Sequence, residues 1–376
     1  MAGKRKIMIV FGTRPEVIKL APVIAELKKY AAKVDCKICV TGQHREMVDP
    51  LLKLFKISPD YDLNLMLEDQ SLEHVTTTVL KAMGKIFEKE RPDYLMVQGD
   101  TTTAMAAGLA AFYKKVKVAH LEAGLRTWDA QHPFPEEVNR RIIDSLSELY
   151  FSHTESAKRN LLNEGIDAKK IEVTGNTVID ALLDTAKRKY DLEDLSLNGV
   201  LRGRKKLILV TAHRRENFGQ PILQICNAIK TLAREYKGKL IFVYPVHLNP
   251  NVFEYVHRRL DGVDNVFLTR PLEYLPFVKL MARADLVLTD SGGLQEEAPS
   301  LGKPVLVMRE TTERPEGVQA GCVKVIGTDT QRIIKEVTDL LENREKYRRM
   351  AKAKNPYGDG TAARKTVKRL MKEMGI

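Results

Sequence analysis

The chain has 376 residues, 44% of them hydrophobic and 29% charged, which excludes a disordered polymer and suits two packed domains better than one. Its formal charge of +12 makes an anionic partner plausible, but the cations are spread along the chain and interleaved with acids, as from Glu342 to Lys352. Aromatics are only 6% of residues and scattered, so a nucleic-acid-binding surface is disfavoured and a small phosphorylated substrate explains the charge equally well.

The start, MAGKRKIMIVFG, pairs a basic lead with an apolar run too short for a signal peptide, and Arg14-Pro15-Glu16 follows where small residues would precede cleavage. It reads as a first buried strand, and no apolar stretch approaches the ~20 residues that span a bilayer. A cytoplasmic protein is expected. Four cysteines fit that expectation: Cys36 and Cys39 stand on one apparent strand with their sulfurs on opposite faces, Cys226 and Cys322 stand alone, and all four read as buried reduced thiols rather than a metal site.

In chain order, apolar runs rich in Val and Ile predict strands at Ile7–Phe11, Cys36–Thr41, Tyr94–Gln98, Lys117–Leu121, Leu149–Ser152 and Ile171–Thr174. Helical patterns such as Glu16–Tyr30 and Ser71–Glu90 separate them. Continuous apolar strands alternating with amphipathic helices signal a parallel sheet covered on both faces. The charged stretch Lys187–Lys205, with Asn198-Gly199 and Arg202-Gly203, breaks the rhythm and places a boundary there, giving domains 1–188 and 189–376. Strands then resume at Leu207–Thr211, Leu240–Tyr244, Val266–Leu268, Leu286–Thr289 and Val305–Met308. The expected fold class is α/β: two Rossmann-like, doubly wound domains facing across a cleft lined by the carboxyl ends of both sheets.

Ligands meet such sheets at the loops after strand C-termini. The first loop, Gly12-Thr13-Arg14-Pro15-Glu16, is not a three-glycine dinucleotide fingerprint, and no Walker A sequence occurs. Arg14 and Lys19 flank a helix start that would welcome an anion, although position alone does not separate them from ordinary surface cations. Asp100 follows the Tyr94–Gln98 strand and is either a helix cap or a functional acid. Glu122 ends a buried strand, where an unpaired carboxylate is costly; pairing with Arg126 is the structural explanation. Glu136 and Glu137 open a helix, where the macrodipole favours acids. Three carboxylates, Asp100, Glu122 and Glu136, on neighbouring loops are the set that general acid–base chemistry requires.

The second half adds cations and glycines. His213 and Arg214 after Leu207–Thr211 suit a diphosphate clamp, arginine by its forked donors. His247 follows the Leu240–Tyr244 strand. After Leu286–Thr289 comes Asp290-Ser291-Gly292-Gly293, whose small residues at a helix start expose backbone N–H groups to a phosphate. A tight turn would need only one glycine. Glu297, one turn further, could accept hydrogen bonds from ribose hydroxyls.

With FGTRPE, TGQHREM, GDTTT, EAGLRT, PFPEEVNR, TGNTVIDAL, TAHRREN, YPVHLNPNV, TDSGGLQEEAPSLGKPVLVMR, TTERPEGV and NPYGDG in order along nearly the whole chain, the sequence resembles the non-hydrolysing UDP-N-acetylglucosamine 2-epimerases. The resemblance implies a GT-B fold whose last helix returns to the first domain, and a homodimer without bound cofactor. It implies reversible C2 epimerisation of UDP-GlcNAc to UDP-ManNAc for glycan synthesis, through elimination of UDP to 2-acetamidoglucal and re-addition. Asp100, Glu122, Glu136 and His213 match the family's catalytic residues. Arg14, Lys19, Arg214, His247, Phe277, Ser291, Gly292, Gly293, Glu297 and Arg314 match positions that hold substrate. Gln43, His44 and Arg45 match a loop through which a second UDP-GlcNAc activates some bacterial members, but Asp69 stands where their arginine would fall. Trp128 departs from the glycine that often follows the EAGLRT threonine. A hydrolysing 2-epimerase, a GT-B glycosyltransferase and, from another class, a basic nucleic-acid-binding protein are the alternatives.

Overall fold

The computed structural model describes residues 4–42, 45–65, 70–192 and 205–376. The chain divides into two compact units, Met1–Ala181 with Tyr357–Ile376, and Leu182–Pro356. Most of the expected linker, including Asn198-Gly199 and Arg202-Gly203, lies outside the described residues, as do Gln43, His44 and Asp69.

The first unit is built on strands β1 (Arg5–Phe11), β2 (Val34–Val40), β3 (Tyr61–Asp62), β4 (Tyr94–Gln98), β5 (Lys117–Leu121), β6 (Leu149–Ser152) and β7 (Ile171–Val173). Among the described residues they form one sheet in the order β3-β2-β1-β4-β5-β6-β7, parallel throughout. The central strands are uniformly apolar because helices bury both their faces; Ile7 to Phe11 and Leu95 to Val97 are fully enclosed. β3 and its two polar-edged residues escape the apolar-run signal. The last segment belongs to this unit: the amides of Ala362 and Ala363 donate to the Asp180 carboxylate at 3.2 and 3.0 Å. That pairing satisfies the start of helix Ala362–Glu373, which packs on helix Arg14–Lys28.

The second unit repeats the plan with β8 (Lys206–Thr211), β9 (Leu240–Pro245), β10 (Val266–Thr269), β11 (Leu286–Thr289), β12 (Val305–Val307) and β13 (Val323–Val325). Their order is β10-β9-β8-β11-β12-β13, again parallel. In both sheets the winding reverses beside the central strand, at β1/β4 and at β8/β11. Loops leaving the two strands of such a switch point diverge to opposite faces and open a crevice.

Cys39, Cys226 and Cys322 are buried and unbridged, but Cys36 is only partly covered, which corrects the expectation of four buried thiols. Burial pushes the thiols of Cys36, Cys39 and Cys226 up to about 12. Among the described residues no helix is long and apolar enough to cross a membrane, and no cluster of His, Cys, Asp or Glu could hold a metal ion.

A buried ionic network braces the loops after β4 and β5. His120 is fully enclosed; its Nε2 meets the Gly99 carbonyl at 2.7 Å and its Nδ1 meets Asp144 Oδ1 at 2.6 Å. The carbonyl can only accept, so Nε2 carries a proton. Asp144 Oδ2 also receives Arg126 at 2.7 Å and the Gly124 amide at 3.2 Å, and Arg126 forks onto Glu164 at 2.7 and 2.6 Å. Burial pushes the Asp144 carboxyl up, but the charges of His120 and Arg126 outweigh it and hold the group below the ordinary carboxylate range. Gly124 has φ +85°, and a Cβ there would lie 2.3 Å from the Ala157 carbonyl oxygen, so only glycine lets this turn pack on the following helix. Asp144→Ala would remove the buried acceptor shared by Arg126, His120 and the Gly124 amide and leave Arg126 with Glu164 as its remaining acidic partner, a loss of about 3–5 kcal/mol. The transition that melts the first unit should fall by roughly 10 °C in calorimetry, whereas a change under a degree would show the network to be dispensable.

Candidate functional site

The first unit presents a pocket of about 350 Å³ at its switch point, lined among others by Arg14, Lys19, Asp100, Glu122 and Glu136. The three carboxylates singled out in the sequence therefore share one cavity, along with both cations from the first loop. Each is set there by a different device.

The loop after β1 is fixed by Glu16, the fourth acid lining the pocket. Its Oε2 accepts the amides of Gly12 and Thr13 at 3.0 and 2.8 Å, and its Oε1 accepts the Thr101 hydroxyl at 2.8 Å. One buried side chain thus ties the loop after β1 to the loop after β4. Burial nevertheless raises its pKa, the hydrogen bonds opposing that rise only in part. In the sequence Glu16 stands only as a helix start; the spacing Thr13–Glu16, a capping box, is the signal that marks it.

Asp100 is not the helix cap. Thr101 takes that role, its hydroxyl accepting the Ala104 amide at 3.0 Å, and this frees the Asp100 carboxylate to pair with Arg140, whose Nε lies 3.1 Å from Oδ2. The neighbouring Asn139 donates to the Asp100 carbonyl at 3.0 Å. Both partners come from helix Glu136–Leu146.

Glu122 is not paired with Arg126, which the Asp144 network consumes. It pairs instead with Lys19, and Gln98 Nε2 donates to the same carboxylate oxygen at 2.6 Å. Its φ of +72° is uncommon for a residue with a long side chain. Such a conformation persists where the surroundings over-determine it, here through the Glu122 and Ala123 amides, both bonded to the Phe151 carbonyl at 2.9 and 3.1 Å.

The adjacent acids of PFPEE divide their work. Glu137 is fully buried and accepts the amides of Thr127 and Trp128 at 2.9 and 3.2 Å, so it holds the turn. Glu136 lines the pocket, and its Oε2 is enclosed without a hydrogen-bond partner among the described residues. Arg45 is elsewhere: it is bound to Asp62 at 2.8 Å and is not a lining residue of the pocket.

The switch point of the second unit gathers cations. β8 and β11 pair Thr211 with Thr289, and their hydroxyls meet at 2.6 Å, which brings His213 and Arg214 beside Asp290 through Gly293. The backbone amides of His213 and Arg214 both donate to Asp290 Oδ2, at 2.7 and 2.8 Å. His247 arrives from the loop after β9 and stacks on His213, ring centres 5.5 Å apart and planes 18° off parallel. A Cβ on Gly292 would stand 3.4 Å from the guanidinium carbon of Arg314 and 3.6 Å from an Arg214 nitrogen. Two guanidinium groups therefore converge over a helix start that has no side chain in the way, which is the makeup of an anion cradle. Arg314 is steadied by Glu296 at 2.9 Å. A Cβ on Gly293 would lie 3.4 Å from Glu297 Oε1 and 3.9 Å from Ser291 Oγ, so these two side chains flank the same turn. Phe277 sits half-buried in helix Tyr274–Arg283; the hydrogen bonds and ring contacts of the described residues do not join it to the others.

Residues 25–371 match the family model for UDP-N-acetylglucosamine 2-epimerase. The UDP-N-acetylglucosamine 2-epimerase of Escherichia coli K12 is 52% identical over 370 residues, 97% of this chain and 98% of that protein. The crystal structure of the Neisseria meningitidis UDP-GlcNAc 2-epimerase bound to UDP-GlcNAc is 50% identical, with a TM-score of 0.86 over 98% of this chain and 100% of that one. A Methanocaldococcus jannaschii UDP-GlcNAc 2-epimerase in complex with UDP-GlcNAc and UDP is 34% identical, with a TM-score of 0.78 over 98% and 99%. The two doubly wound parallel sheets are those of the GT-B type seen in such structures. Matched by the family model over most of its length and by relatives about half identical to it, the chain belongs to the UDP-N-acetylglucosamine 2-epimerase family.

Proposed function

We propose that this chain interconverts UDP-N-acetylglucosamine and UDP-N-acetylmannosamine without hydrolysis, by reversible elimination. The observation that carries the proposal is the meeting of Asp100, Glu122 and Glu136 in one pocket. The C2 hydrogen of the sugar has no adjacent carbonyl, so simple proton exchange would be very slow. In elimination, a carboxylate takes the C2 proton, the C–H electron pair becomes the C1=C2 bond, and the C1–O pair leaves with UDP. Re-addition of UDP to C1, with a proton delivered to the opposite face of C2, gives the epimer. Atoms balance with no oxidant or water consumed.

Proton traffic on two faces of one carbon calls for more than one acid–base group. Asp100 and Glu122 are each paired with a cation, Arg140 and Lys19 respectively. The leaving diphosphate gathers negative charge as the C1–O bond breaks, and His213, Arg214, Arg314 and the Gly292 and Gly293 amides are the groups suited to meet it. The related 2-epimerases bound to UDP-GlcNAc and UDP support the same substrate.

Glu122→Gln and His213→Asn should each lower kcat by about 10²-fold or more while the circular dichroism spectrum stays that of the parent. A folded His213→Asn enzyme with parental turnover would remove the histidine from the mechanism. Proton and phosphorus NMR of the reaction decide the fate of the sugar–phosphate bond. UDP-linked N-acetylmannosamine should accumulate first, whereas release of UDP and free N-acetylmannosamine in equal amounts from the start would establish hydrolysis instead.

A further inference from the structure

Asp290 has no role in the chemistry described so far, yet it is fully buried directly beneath His213. Its two oxygens have different surroundings. Oδ2 takes three hydrogen bonds, from the amides of His213 and Arg214 at 2.7 and 2.8 Å and from Asn217 Nδ2 at 3.0 Å. Those three are enough to shape the turn. Oδ1 is enclosed and has no hydrogen-bond partner among the described residues, an arrangement that calls for an explanation in any folded protein. The nearest donor-capable group is the His213 ring, whose Nδ1 lies 3.7 Å from Oδ1. That ring is still 38% exposed, so a small rotation closes the gap to a hydrogen bond.

We infer that Asp290 is the positioning partner of His213: Oδ2 anchors the histidine backbone, and Oδ1 accepts a hydrogen bond from Nδ1–H, leaving Nε2 to address the diphosphate. The inference rests on the part proposed for His213 above. Which ring nitrogen of a histidine carries the proton is set by what the other one faces, and here a buried carboxylate stands on the Nδ1 side. The charged and titratable groups around the ring are Asp290, His247 and Arg214. Burial pulls His213 below the ordinary imidazole range; the Asp290 charge opposes that, and His247 and Arg214 reinforce it. The ring is therefore neutral near pH 7 when the cradle is empty. A diphosphate at Nε2 adds a second anion, and the imidazolium, held between two negative groups, becomes the favoured form. UDP binding should then protonate the ring, so that Nε2–H donates to the leaving group.

The test is nitrogen-15 NMR of the full-length enzyme labelled in histidine, with UDP as the probe. Without UDP, at a pH above the His213 titration, the proton is expected on Nδ1; with UDP, both ring nitrogens should be protonated. Asp290→Asn keeps an oxygen for the two amides but removes the charge, so the midpoint of the His213 titration should fall by about one pH unit. Tenfold less imidazolium is then present only at pH values above the titration, so the alkaline limb of the kcat–pH profile should move down by about one pH unit. A resting proton on Nε2 in the parent enzyme overturns the inference, and so does a His213 titration that Asp290→Asn leaves unmoved. If the variant does not fold, the tautomer of the parent decides alone. Full activity in His213→Asn would sink the catalytic reading while leaving the tautomer result intact, so the two failures are distinguishable.

Discussion

Carboxylates gathered in one pocket repel one another and resist burial, and the first unit is arranged around that electrostatic problem. Lys19 and Gln98 converge on Glu122, Arg140 forks toward Asp100, and Glu16 is wired into three backbone and side-chain donors. These countercharges come from helices that begin immediately after β1 and some fifteen residues after β5, so the acids are held only if the sheet order and register are right. The His120–Asp144–Arg126–Glu164 network beneath them adds a second level of the same solution. Fold and chemistry are linked at this point: the switch point between β1 and β4 opens the crevice, and the ion pairs make it tolerable to line it with acids.

The second unit solves the opposite problem with the same topology. Its switch point between β8 and β11 concentrates positive charge, and one buried acid, Asp290, sits at the base of it. Two arginines crowd the Gly292 position, each restrained by neighbouring acids or backbone. Preorganised donors of this kind need little rearrangement when charge develops on a leaving group. A proton donor that is charged only when the diphosphate is present would add selectivity for that ligand over ordinary anions.

Much of this could be read from the residues, and what could not has definite causes. The strands Tyr94–Gln98, Lys117–Leu121, Leu149–Ser152 and Leu286–Thr289 have the bounds expected of them, because a strand buried on both faces writes itself as an apolar run. β3 has two residues and β13 interrupts its valines with Lys324, so neither produces such a run. Asp100, Glu122 and Glu136 were legible as acids at strand ends, but their partners were not. Arg140 lies 40 positions from Asp100, and Lys19 lies 103 positions from Glu122. The nearer Arg126 was the reasonable partner for Glu122 by distance along the chain, and the buried Asp144 drew it away. Glu136 and Glu137 are equivalent to any rule about helix starts; only the turn at Thr127 and Trp128 tells them apart. Asp290 was hidden by the glycines that follow it.

The central claim is that a carboxylate in the first unit takes the C2 proton of a nucleotide-linked sugar and that a proton from the medium replaces it. Incubating the enzyme with UDP-N-acetylglucosamine in heavy water measures this directly. The account predicts deuterium at C2 of both epimers recovered at equilibrium, each still attached to UDP. Formation of the epimer with its original C2 hydrogen retained would contradict it.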